Sequence, residues 1–171
     1  EEITLLDDTG WEYRVALTAV GAGCVTGAIV DRVAATGEPR VAITLLQSRL
    51  KTDRFEFVLE KGTELGVAAF VPVVCGRTIR RPREGREGDA RMARWARIIK
   101  EAAEQSGRGR LPTLAPPVPV EEACRRRKGL GVLPWEGEAV VGLRGFLRRA
   151  TAGGASVADV ARAFEVNPNV L

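Results

Sequence analysis

Alternation of apolar and polar positions predicts that the first part of the chain is a small antiparallel β module. Short runs with this alternation are separated by turn residues and cover residues 2–6, 11–20, 24–33 and 40–46. Glycines at residues 21–27 are spaced like those of a nucleotide-binding loop, but no helical pattern follows them. We therefore predict a hairpin turn at this point.

The pattern changes near Gln47 to helices that alternate with buried strands, which predicts an α/β fold. Asp53 with Glu56 indicates a helix N-terminus, and apolar residues at helical spacing continue to a stop at Gly66. The uninterrupted apolar run Val67–Val74 is typical of a strand that is covered on both faces in a parallel sheet. An irregular exposed loop is predicted at residues 80–88.

A second helix is predicted between Asp89 and a stop at Gly107. Its apolar face is formed by Trp95, Ile98, Ile99, Ala102 and Ala103. The proline-rich residues 111–120 predict an extended connection over the surface. The remaining expected elements are a helix at 121–128, a buried strand at 129–133, a helix at 140–150 and a helix-like stretch at 157–164. The strand-helix order again implies parallel pairing.

Composition excludes several classes of chemistry. The 171 residues contain no histidine and three cysteines about fifty positions apart, which argues against a histidine-based catalytic triad, a disulfide framework or a zinc site. We therefore expect no metal. Neither a secretory signal nor an apolar run of the roughly 20 residues that a membrane span needs is present, so we expect a cytoplasmic protein with no membrane partner.

The formal charge of +4 is modest, but the basic residues are concentrated. Arginines far outnumber acids between Arg77 and Arg110, and arginine forms bidentate contacts with phosphate. A solvated helix face next to an exposed loop would give the same pattern. Both interpretations stay open on charge alone.

Four stretches of the chain resemble a known family. They are Ile3–Asp7 with Gly10, Asp53–Glu56 through Lys61–Val67, Arg94–Ile98 through Glu101–Arg108, and Pro112 with Pro116-Pro117. In order, spacing and residue type these stretches are similar to the small-subunit ribosomal RNA (uridine-N3)-methyltransferases of the SPOUT superfamily. The resemblance implies a PUA-like β-barrel RNA-binding domain, here residues 1–46, followed by a knotted α/β methyltransferase domain with a parallel sheet, residues 47–171.

The same resemblance implies S-adenosylmethionine (S-adenosyl-L-methionine) as cofactor, ribosomal RNA or the small ribosomal subunit as partner, and a homodimer. A noncatalytic RNA-binding protein that uses the β-barrel and the arginine-rich loop is the alternative, and an assembly factor is a third hypothesis. Calorimetry with the cofactor would separate the first two.

The resemblance also assigns site residues. Glu104 and Arg108 are expected to be catalytic. Their spacing predicts that they lie one helical turn apart and face the same way, although an ordinary salt-bridged helix end would show the same spacing. The residues expected to bind the cofactor are Thr78, Leu133, Pro134, Trp135, Asn169, Val170 and Leu171, with simple packing as the alternative for Trp135. The residues expected to bind RNA are Lys61, Arg77, Arg80, Arg81, Arg97, Gln105 and Arg110. Lys61 with Glu64 also matches a plain surface ion pair.

Two family features are missing from the sequence. No Gly-Pro-Glu-Gly-Gly loop is present, and only residues 167–171 resemble the later Leu-Gly-x-x-Ile-Leu-Arg segment. We therefore expect that residues are absent between Ala158 and Asp159, and that a further β segment precedes Glu1. An intact mass equal to that of the printed sequence would reject this expectation.

Overall fold

The computed structural model describes residues 1–76, 85–126, 129–133 and 142–152. The chain divides into two compact units, Glu1–Val120 and Glu121–Leu171. The predicted helix at 157–164 lies outside the described residues.

The first three strands form an antiparallel sheet in the order β1 (Glu2–Leu6), β2 (Trp11–Gly21) and β3 (Cys24–Ala34). Gly21 pairs with Cys24 across a tight turn, which confirms the predicted hairpin. Within the described part of the chain β1 and β3 are the two edges, so this sheet is open and the barrel predicted from the resemblance is not seen.

A second sheet contains parallel strands, as the sequence predicted. Strand β4 (Ile43–Ser48) pairs in parallel with β5 (Val67–Val74), and the helix α1 (Thr52–Glu64) connects them. The prediction that residues 40–46 belong to the antiparallel module was therefore wrong. Two parallel strands need a crossover connection, usually a helix, and α1 is that connection between β4 and β5. Strand β4 therefore pairs with the strand that follows it and not with the strands before it.

The proline-rich segment contributes two short strands to the parallel sheet. β6 (Thr113–Leu114) and β7 (Val118–Pro119) both pair in parallel with β5. Pro112 is buried, and Leu114 packs against the core. The segment is extended as predicted, but it is not only a surface connection.

The core lies between the two long helices and β5. Helix α2 (Arg86–Gln105) contributes Trp95 and Ile99, which pack with Phe55 and Leu59 of α1 and with Phe70 of β5. The ring centroids of Phe55 and Trp95 are 4.6 Å apart. These contacts confirm the apolar face that helical spacing predicted for α2.

The helix ends agree only partly with the predictions. Gly66 and Gly107 have φ angles of +93° and +67°, which glycine adopts without steric cost, and they confirm the two predicted stops. The predicted cap at Asp53 was wrong, because Lys51 is the N-cap residue and no side chain caps this end. Helix α2 begins at Arg86, inside the loop predicted at 80–88.

The second unit contains two helices among its described residues. α3 (Val120–Arg126) begins at the unit boundary, and α4 (Leu143–Ala152) follows later, so both predicted helices are confirmed in their described parts. Residues 129–133 form no strand, and the side chain of Leu133 is 58% exposed. The predicted buried strand was wrong, because Leu130 and Val132 are also more than one-third exposed, and Gly129, with a φ of +81°, turns the chain where the strand would begin.

Candidate functional site

A shallow cleft of about 270 Å³ lies where the turn between β1 and β2 meets the C-terminal end of α2. It contains both residues that were predicted to be catalytic. The cleft is lined by Leu6, Asp7, Asp8, Lys100, Ala103, Glu104, Arg108, Gly109 and Leu111.

Arg108 reaches this cleft from outside the helix. Helix α2 ends at Gln105, so the prediction that Glu104 and Arg108 lie one turn apart on one helix face was wrong. The φ of +67° at Gly107 turns the chain, and only 3% of the surface of Arg108 remains exposed. A buried arginine is costly unless its charge is paired and its donors are satisfied.

The guanidinium of Arg108 makes four hydrogen bonds inside the molecule. Nε and Nη2 donate to the two carboxylate oxygens of Glu38 at 3.3 and 3.0 Å. Nη1 donates to the main-chain carbonyls of Thr63 at 3.2 Å and Val67 at 2.6 Å. Four of the five guanidinium donors are therefore used, which favours a structural role for Arg108 over direct contact with substrate.

Glu38 is the charged partner of this buried arginine. Partial burial by itself raises the pKa of Glu38, but hydrogen bonds from Arg108 and from the main-chain N–H of Arg110 outweigh it and hold the pKa below its usual 4.5. The N–H of Arg110 donates to Glu38 Oε1 at 2.9 Å. Sequence reasoning missed Glu38, since no local pattern marks a carboxylate whose partner is 70 positions away.

Glu104 is on the exposed rim of the cleft. Its Oε1 is 3.6 Å from Nζ of Lys100, and both side chains are more than half exposed. Gln105 is exposed at the last position of α2. The catalytic role of Glu104 and the RNA-binding role of Gln105 stay predictions.

Two of the described residues that were predicted to bind RNA through positive charge, Lys61 and Arg97, form ion pairs within the molecule. Lys61 forms ion pairs with Glu60 at 2.8 Å and with Glu64 at 2.9 Å, and these hydrogen bonds raise the pKa of Lys61. Arg97 lies 3.6 Å from Glu101, and both side chains are about two-thirds exposed. Such exposed pairs contribute little to stability, so an RNA phosphate can compete for both cations.

Two aspartates of the β1–β2 turn also line the cleft. Oδ1 of Asp7 accepts hydrogen bonds from the N–H and hydroxyl of Thr9 at 3.0 and 2.6 Å, and these bonds hold the pKa of Asp7 below its usual value. Asp8 accepts the main-chain N–H of Leu111 at 2.6 Å. The sequence indicated Asp8 only as a turn residue, whereas Asp7 also belongs to a stretch that resembles the family. They bring the antiparallel sheet to the edge of the cleft.

Most of the predicted cofactor and loop residues lie outside the described residues. They are Thr78, Pro134, Trp135, Asn169, Val170, Leu171, Arg77, Arg80 and Arg81. Leu133 is described and exposed. Within the described ranges, no three Cys, Asp or Glu side chains form a group that could hold a metal ion. None of the described helices combines the length and apolar character that crossing a bilayer requires.

The chain belongs to the family described as RNA methyltransferase domain, whose model matches residues 37–155. This match confirms the resemblance at the level of RNA methyltransferases. Ribosomal RNA small subunit methyltransferase E of Synechocystis sp. is 34% identical over 114 residues, which cover 67% of this chain and 35% of that protein.

Solved structures give the same result. The crystal structure of ribosomal RNA small subunit methyltransferase E from Neisseria gonorrhoeae, bound to S-adenosyl methionine, matches with a TM-score of 0.67 and 35% identity over 75% of this chain and 52% of that chain. A methyltransferase of Legionella pneumophila in complex with the same cofactor matches with a TM-score of 0.72 and 28% identity, over 80% of this chain and 57% of that chain. The chain thus spans between about a third and three fifths of the length of these proteins.

Proposed function

We propose that the protein transfers a methyl group from S-adenosylmethionine to N3 of a uridine in small-subunit ribosomal RNA. The observation that carries this proposal is the likeness, at 35% identity, to a methyltransferase of that RNA whose structure contains the cofactor. The uridine specificity rests on the sequence resemblance alone. We place the enzyme in the cytoplasm.

The proposed architecture extends the described folds. The antiparallel sheet β1–β3 would belong to a PUA-like RNA-binding domain, and the parallel sheet to a knotted SPOUT methyltransferase domain that acts as a homodimer. The sequence predicted the boundary at residues 46 and 47, but β4 already belongs to the parallel sheet. We therefore place the boundary in the linker between β3 and β4.

The reaction requires that uridine N3 lose its proton and form a bond to the methyl carbon as the bond from that carbon to sulfur breaks. Glu104 is the candidate base, because its exposed carboxylate lines the cleft. Lys100, 3.6 Å away, carries the positive charge that would stabilise the uridine anion. Arg108 is already engaged by Glu38 and two carbonyls, so we no longer propose it as catalytic.

The described residues supply only a small part of a cofactor site. The cleft volume of about 270 Å³ is below the roughly 300–1,000 Å³ of typical small-molecule pockets, so we do not assign the cofactor to it. Leu133 offers an exposed apolar side chain of the kind that contacts an aromatic base. The cofactor contacts at Thr78, Pro134, Trp135, Asn169, Val170 and Leu171 remain proposals from the resemblance.

Two measurements on the full-length protein test the function. Calorimetry should detect binding of S-adenosylmethionine, and mass mapping of small-subunit RNA incubated with protein and cofactor should show one new methylated uridine. The variant Glu104→Gln should bind the cofactor like the wild type and lose most of the transfer. RNA binding without cofactor binding would support the noncatalytic alternative and overturn the proposal.

A further inference from the structure

The segment that follows α2 makes hydrogen bonds to the β1–β2 turn and to the β3–β4 linker. Its Gly109 carbonyl accepts the N–H of Gly10 at 2.9 Å, and its Leu111 N–H donates to Asp8 at 2.6 Å. On its other side Glu38, in the β3–β4 linker, accepts the N–H of Arg110. We name residues 107–111 the junction segment.

The backbones at the junction segment are in close contact. A Cβ atom added to Gly109 would lie 2.4 Å from Cβ of Ala35 and 3.0 Å from Cα of Gly10. A Cβ atom on Gly37 would lie 2.7 Å from the carbonyl oxygen of Gly107. A side chain at either glycine would therefore push the backbones apart, so the antiparallel sheet and the junction segment pack backbone to backbone.

Arg108 extends this contact to the parallel sheet. Its Nε and Nη2 bind Glu38 in the linker from β3, and its Nη1 binds the carbonyls of Thr63 and Val67, where α1 ends and β5 begins. One buried side chain thus joins the linker of the antiparallel sheet to the turn that starts the central strand of the parallel sheet.

We propose that Arg108 is a positioning residue that fixes the orientation of the antiparallel sheet relative to the parallel sheet, so that RNA held by the first presents its uridine to the transfer site. The inference rests on the proposed function. An RNA that binds at two sites reacts faster when the geometry between those sites is fixed. A displacement of the reacting atoms by about 1 Å can lower the rate about 10²-fold.

Lysine cannot replace this arginine. The guanidinium reaches Glu38 with Nε and Nη2 and the two carbonyls with Nη1, in a planar fork, whereas the lysine ammonium is a single point donor. Arg108→Lys keeps the buried charge and removes the bridge. The matched control is Arg94→Lys, because Arg94 pairs with Glu56 at 2.7 Å but joins α1 to α2 within the parallel-sheet part.

The kinetic test compares two RNA substrates in the full-length protein. One is the small ribosomal subunit, and the other is a short stem-loop that contains the target uridine and is too small to reach the antiparallel sheet. Arg108→Lys should lower kcat/KM on the subunit by about 10- to 100-fold, with cofactor affinity and the rate on the stem-loop within about twofold of wild type. Equal losses on both substrates, or none, would overturn the positioning role.

A distance measurement tests the inference without activity. Spin labels are placed on the exposed Cys24, at the start of β3, and on Ala93→Cys of α2, with serine at Cys75 and Cys124. The distance between the labels reports how the antiparallel sheet lies relative to the helix that packs on the parallel sheet. Arg108→Lys and Glu38→Gln should both broaden the distance distribution, and Arg94→Lys should not. An unchanged distribution would refute the inference even if the enzyme is active. If the two variants broaden the distribution but the wild-type protein transfers no methyl group, only the proposed function is refuted.

Discussion

Glu38→Gln is the sharpest test of the buried ion pair. The substitution keeps the shape of the side chain but removes the charge that compensates Arg108, which is 3% exposed. Breaking one partner of a buried pair typically costs about 3–5 kcal/mol. Here the carbonyls of Thr63 and Val67 still accept from Nη1, and Glu38 is 22% exposed, so water reaches part of the site.

We therefore expect the free energy of unfolding to fall by about 2–3 kcal/mol, at or below the lower end of that range. Urea unfolding of the full-length protein, followed by circular dichroism, measures the loss as a shift of the midpoint at constant slope. Glu101→Gln is the control, because Glu101 pairs with Arg97 at 3.6 Å on an exposed helix face. A loss below about 1 kcal/mol for Glu38→Gln, or one equal to the control, would show that the pair does not stabilise the fold.

Three further predictions follow from described contacts. Because the pKa of Glu38 is lowered on folding, its stabilising contribution is complete above about pH 4.5 and is lost as pH falls through the folded pKa. The difference in free energy of unfolding between wild type and Glu38→Gln, measured by urea unfolding, should therefore narrow below about pH 4.5. A difference that stays constant with pH would contradict this prediction. Gly62→Ala should lower the Tm, since a Cβ atom would lie 2.8 Å from Cε1 of the buried Phe70 and overpacking costs about 1–3 kcal/mol, more than the roughly 1 kcal/mol that helix propensity returns. The control for this variant is Gly145→Ala in α4, where nothing lies within 4 Å of the added Cβ, and it should leave the Tm unchanged or raise it. Arg97→Ala should weaken RNA binding and reduce the slope of log affinity against log salt by about 0.7–0.9, and an unchanged slope would remove Arg97 from the RNA-binding surface.

The elements that the sequence predicted correctly depend on local periodicity. The apolar run Val67–Val74 needs only its own residues to indicate a buried strand, and the apolar face of α2 follows from the spacing of Trp95 and Ile99. Sheet membership depends on distant partners. The sequence pattern predicts that residues 40–46 pair with the strands before them, whereas β4 pairs with β5, which follows it in the chain.

The candidate site was harder to predict for the same reason. Helical spacing placed Arg108 beside Glu104, but the turn at Gly107 directs the arginine into the interior. The partners that explain its burial are a glutamate 70 positions earlier and two main-chain carbonyls, which no sequence pattern marks. The family resemblance identified the segment as important without showing what its arginine contacts.

The junction segment has a consequence for the order of folding during synthesis. All three strands of the antiparallel sheet are complete at Ala34, yet the bond from Leu111 to Asp8 joins residues 103 positions apart. During synthesis on the ribosome, the surface of the antiparallel sheet that contacts the junction segment stays exposed until the whole of α2 has emerged. Closing so large a loop is entropically expensive, so docking of the sheet is expected to be the late and slow event of folding.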